Sequence, residues 1–133
     1  VGYENYSKAI NIEARTMIDM VKKEIIPAVM EYTTTVAKSV AAVKAVGADA
    51  SVQEKVLKEI TTELSKLDAA VVKLEAATDA SVKIEEPKAQ AIAYRDDVFA
   101  QFVEVREPAD KLETLVDEKA WPFPTYAELL FNV

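Results

Sequence analysis

From Tyr3 to Val43, apolar side chains recur every three or four residues without a break: Tyr3, Tyr6, Ile10, Ala14, Met17, Val21, Ile25, Ala28, Tyr32, Val36, Val40 and Val43. The mean step is about 3.6 residues, the period of an α-helix, and a strand would need a period of two. A stripe this long constrains the fold more than any other feature of the chain. Pro27 lies inside it, removing one backbone donor and crowding the carbonyl four residues back. Because the apolar register survives on both sides, the expectation is one long, kinked helix over about 3–46. Thr33-Thr34-Thr35 is a weak helical stretch that needs tertiary support, and Gly47 supplies a left-handed cap.

Two further stripes follow. Val56, Ile60, Leu64, Leu67, Val71 and Leu74 again step by about 3.6, predicting a helix over about 52–78. Ser51 and Glu54 have capping-box spacing at its start, and Glu54–Lys58 suits an i,i+4 pair. Ala91, Tyr94, Val98, Phe102, Val105, Ala109, Leu112 and Val116 predict a third helix over about 86–119. It opens at Glu86-Pro87 with proline in the first helical position and bends at Pro108. The fold class is therefore all-α: an antiparallel up-down-up three-helix bundle, with a long kinked first helix and a short aromatic C-terminal tail over 120–133. Only 2 Gly and 5 Pro in 133 residues leave little material for a turn-dense β fold. The whole chain reads as one helical domain.

The residue inventory excludes most chemistry. With no His and no Cys there is no imidazole acid–base group, no thiol, no usual zinc site and no disulfide. Two glycines 45 positions apart cannot build a phosphate loop. Asp96-Asp97 beside Arg95 reads as a solvated face with an ion pair rather than an oxygen-ligand cluster, so no catalytic, cofactor-binding or metal residue is assigned. A net charge of -7 opposes nucleic acid and acidic lipid alike. No apolar run is long enough to span a membrane. Opening on Val1 rather than Met, the chain reads as a segment of a longer protein.

What the inventory leaves is surface. The N-terminal third of the first helix is expected to overhang the second beyond about Asp19–Met20. That exposes Tyr3, Tyr6, Ile10, Met17 and Ile18 as a docking stripe. In the tail, Trp121, Phe123, Tyr126, Leu129, Leu130 and Phe131 crowd six large apolar residues into eleven positions. They either fold back on the bundle or dock elsewhere. Met17, Met20 and Met30 read as core filling.

Three segments carry a resemblance: ENYSKAINIEARTMIDMVKKEIIPAV (4–29), AIAYRDDVF (91–99) and LETLVDEKAWPFPTYAELLF (112–131). They resemble the C-terminal region of type III glutamine synthetase, the large bacterial form of that ligase, and are strongest at the two ends of the chain. The chain departs from that pattern at Pro108, Ala120 and Ala127-Glu128. The resemblance implies a parent enzyme that makes glutamine from glutamate and ammonia using ATP and a divalent metal, Mg or Mn. It implies a cytoplasmic homo-oligomer whose catalytic residues lie upstream. This segment would then be a helical appendage serving assembly, inert alone, with the catalytic domain and neighbouring subunits as partners. The alternative is a free-standing helical adaptor that binds partner helices.

Overall fold

The first stripe folds as one uninterrupted helical run, although not as a uniform α-helix. The structure, a computed structural model, describes residues 2–124. Helix α1, Gly2–Met20, passes into a π-helical turn, Val21–Ile25, and continues as α2, Ile26–Ala45. In that π turn the Ile26 N–H donates to the Val21 carbonyl, five residues back. A turn widened by one residue just ahead of Pro27 relieves the crowding between the pyrrolidine ring and the preceding turn. The three threonines satisfy themselves locally. Thr33, Thr34 and Thr35 donate to the carbonyls of Val29, Met30 and Glu31 at 2.7, 3.3 and 3.5 Å.

The run ends in a Schellman cap. Gly47, at φ 76°, donates to the Lys44 carbonyl, and Ala48 donates to that of Val43. Helix α3, Ser51–Val82, follows. Its N-cap is Ala50, not Ser51, so the expected capping box does not form. Asp49 takes the role, accepting from the Ser51 N–H at 3.0 Å and from the Ser51 hydroxyl. Glu54 is thereby freed to pair with Lys44 across the turn at 2.6 Å, in place of the expected Lys58.

The third run starts as expected. Glu86 is the N-cap of α4, Pro87–Ala93, and its carboxylate accepts from the Ala89 N–H. A second π turn, Tyr94–Val98, and a 3₁₀ turn, Phe99–Gln101, precede α5, Phe102–Leu115. The Gln101 side chain donates to the Asp97 carbonyl at 2.7 Å, occupying an acceptor at this irregular join. Helix α5 stops four residues short of the expected boundary. Val116 is extended, and Asp117 organises a turn instead: its side chain accepts from the Lys119 N–H and its carbonyl from Ala120 and Trp121. That turn delivers Trp121 to the core, where it is buried.

The three runs share one core, formed by residues such as Ile10, Val29, Ile60, Leu67, Leu74, Tyr94, Val105, Leu112 and Trp121. Helix α3 packs against α2 and α5, and α1 against α4. Ion pairs mark the alignment. Arg15, Lys22 and Lys44 meet Asp79, Glu75 and Glu54. Lys73 and Lys111 meet Glu104 and Glu63. Residue numbers thus rise along one run as they fall along its neighbour. Among the described residues there is no strand.

Candidate docking surface

The expected N-terminal overhang does not exist. Helix α3 reaches Val82 rather than about residue 78, and the Arg15–Asp79 pair at 2.8 Å carries it past Met17. Helix α4 then covers the first turns of α1. Ile10 and Ile18 are consequently buried, with 6% and 3% exposure, and present no surface. Met17 is half-buried against the core. Tyr3 and Tyr6 do face outward, at 50% and 36%. Trp121 is in the core with Phe123 half-buried against it, whereas Tyr126, Leu129, Leu130 and Phe131 lie outside the described residues. Of the other methionines, Met30 is exposed and Met20 marginally so; neither fills the core.

The end of the hairpin that lacks cover is the opposite one. After Val36 the first run has no buried residue, and Val46 and Val52 at the tip are 80% and 71% exposed. The third run turns away earlier than expected: Lys119 and Ala120 lie beside Ala28, Glu31, Tyr32 and Thr35, not beside the 46–50 connection.

Two features lie along the seam between the first and third runs. Near the N-terminus, Tyr3 and Tyr6 border a recess with Ile92 and Arg95. Farther along, Met17, Met20, Val21, Phe102, Val105 and Arg106 line a mainly apolar groove of about 470 Å³. Phe99 stands beside that groove, 51% exposed, its ring 5.4 Å from that of Phe102. The Arg95 guanidinium is held by two bonds to Asp96, at 2.8 and 3.2 Å. That bond pair raises the Arg95 pKa and lowers that of Asp96. On the inner side of the junction, Asn11 donates to the hydroxyl of buried Tyr94 at 2.8 Å, tying α1 to the second π turn.

The α3–α5 face is polar by contrast. Glu63 is buried at 6% and lies within 3.4 Å of Lys66 and 3.7 Å of Lys111. This buried acid was missed because it sits beside Leu64, the stripe position that the period favours. Phe99, Ile92 and Ile12 were missed as surface for the converse reason: apolar residues off the core period are the signal. Among the described residues no group of three or more Asp or Glu side chains is placed to hold a metal ion. No described helix is long and apolar enough to cross a membrane.

The described residues form an all-helical module with an apolar seam between its first and third runs. Comparison with known proteins finds a consistent likeness. Residues 1–44 match the glutamine synthetase C-terminal domain. Over 132 residues the chain is 32% identical to a glutamine synthetase of Butyrivibrio fibrisolvens, covering 98% of the chain and 19% of that protein. It is 26% identical to a glutamine synthetase of Bacteroides fragilis, with 99% and 19% covered, and 30% identical to the type-3 glutamine synthetase of Dictyostelium discoideum, with 97% and 18% covered. The chain is thus similar over nearly its whole length to glutamine synthetases, type 3 included, and its first 44 residues match their C-terminal domain. It spans about a fifth of the length of these curated relatives.

Proposed function

We propose that this chain is the C-terminal helical appendage of a type III glutamine synthetase and serves packing and assembly of that ligase. The observation that carries the reading is the pairing of 98% coverage of this chain with 19% coverage of the relative. In that reading, ATP, a divalent metal (Mg or Mn), glutamate and ammonia bind the upstream part of the polypeptide, and the chemistry occurs there. The partners are that catalytic part and neighbouring subunits of a cytoplasmic homo-oligomer. The residue inventory supports this division, since the chain supplies no imidazole and no thiol.

The opposed numbering of the ion pairs supports an up-down-up bundle, with the first and third runs parallel and α3 between them in the reverse sense. Asn11–Tyr94 supports the same arrangement. The residues after Phe123 continue, in this reading, as an aromatic docking tail. A free-standing adaptor is the weaker alternative, because the relatives carry the equivalent stretch within polypeptides about five times as long.

The test is glutamine formation from glutamate, ammonia, ATP and magnesium. The longer polypeptide that contains this chain should turn over, and the isolated chain should not exceed the no-protein blank. Saturable ATP-dependent turnover by the isolated chain, or none by the longer polypeptide, contradicts the proposal.

A further inference from the structure

We infer that the seam running from the recess of Tyr3, Tyr6, Ile92 and Arg95 to Phe99, which stands beside the apolar groove, is the surface on which the preceding portion of the same polypeptide rests. The inference is built on the reading above and names the contact face within it.

These side chains are not surplus core. Ile92 and Phe99 are exposed, whereas the buried positions of the third run include Ala91, Ala93, Tyr94, Val98, Phe102, Val105 and Leu112. The second π turn and the 3₁₀ turn keep Tyr94, Val98 and Phe102 inward while leaving Phe99 half in solvent. π turns of this kind recur at functional sites. The composition is that of an interface centre, since tyrosine and arginine carry a disproportionate share of binding energy. Arg95 is preorganised: its two bonds to Asp96 hold the guanidinium plane beside Tyr6 and Ile92 and lower the entropy lost on docking.

The occupant follows from connectivity. The matched domain is the C-terminal one, and about four-fifths of the relatives' length lies outside the stretch matched here. Polypeptide that precedes a C-terminal domain joins α1 at its first turn, and Tyr3 and Tyr6 stand on the first two turns of α1. A partner tethered at that point meets the seam at the millimolar effective concentration of a short linker. A second copy of the chain has no such tether.

The experiment uses the full-length polypeptide. Phe99→Asp and Arg95→Glu are introduced singly, with Val72→Asp, on an exposed position of α3, as the control. Limited proteolysis at the junction preceding Val1 should quicken about tenfold in each seam variant, the effect of losing one hot-spot residue, and should be unchanged by Val72→Asp. Cleavage at the unsubstituted rate in both seam variants overturns the inference. So does a rate increase that appears only at concentrations where the protein is oligomeric, which would assign the face to a second copy. Hydroxyl-radical footprinting of the unsubstituted polypeptide removes any dependence on how the variants fold. Tyr3, Tyr6 and Phe99 should be protected while exposed Met30 is oxidised; oxidation of all four overturns the inference. Glutamine formation by the unsubstituted polypeptide tests the family reading separately, so the two can fail independently.

Discussion

Leu67→Ala should be among the costliest single changes in this chain, and Leu64→Ala should not. The two leucines are one turn apart on α3, and periodicity alone treats them alike. In the structure Leu67 has no solvent exposure, whereas Leu64 is half-buried beside the buried Glu63 carboxylate. Truncating a fully enclosed leucine removes its transfer free energy and leaves a cavity, at about 2–5 kcal/mol. Truncating the half-buried one leaves a notch open to water and costs about 1 kcal/mol. At about 2.1 cal/mol/K per residue the unfolding entropy of a 133-residue chain is about 0.28 kcal/mol/K. The Leu67 cost thus lowers Tm by about 7–18 °C. Guanidinium unfolding of both variants followed by circular dichroism at 222 nm gives the two values directly. A Leu67→Ala cost within about 0.5 kcal/mol of zero, or a larger cost for Leu64→Ala, would refute the phase assigned to α3.

Three further outcomes follow from named contacts. Glu63 is a desolvated carboxylate whose two lysine partners are mostly in solvent, so Glu63→Leu should be neutral or stabilising by up to about 2 kcal/mol; a fall of the unfolding midpoint would show that the carboxylate is a net contributor. Tyr94→Phe and Asn11→Ala should each cost about 1 kcal/mol, and the double variant little more than either, because both remove one hydrogen bond; full additivity would contradict the bond. The Asp49 carboxyl is held below the usual carboxylate range by its bonds from Ser51. Its pKa is depressed on folding, so its stabilisation is fully present above the unfolded value and is lost as pH falls through the folded one. Ser51→Ala should raise the Asp49 value measured by carbon-detected NMR titration, and an unmoved titration would rule out that cap.

The helices were legible because their stripes are long and nearly free of glycine. The two π turns were not legible: buried positions step by four twice in succession at Val21–Ile25–Val29 and at Tyr94–Val98–Phe102, but they do so equally at Ile10–Ala14–Ile18 within the regular helix α1. In α3, Leu67, Val71, Leu74, Thr78 and Ser81 alternate four and three, and that helix is regular. The end of α5 was misplaced because Asp117-Glu118-Lys119 suits a last helical turn and an Asp-led turn equally; burial of Trp121 selects the second. The N-terminal overhang failed for a length reason. Four extra residues on α3, followed by α4 folding back over α1, cover what two helices alone would leave bare. The seam was half legible, through Tyr3 and Tyr6. Arg95 and Phe99 join them only through tertiary placement of the third run.

Removing this chain from the full-length polypeptide tests its assembly role most directly. Sedimentation velocity of the polypeptide with and without residues 1–133 reads the mass of the assembly. The account predicts that the intact protein sediments as a large homo-oligomer and that the truncated protein falls to smaller species. An unchanged oligomer after truncation would contradict an assembly role for the chain.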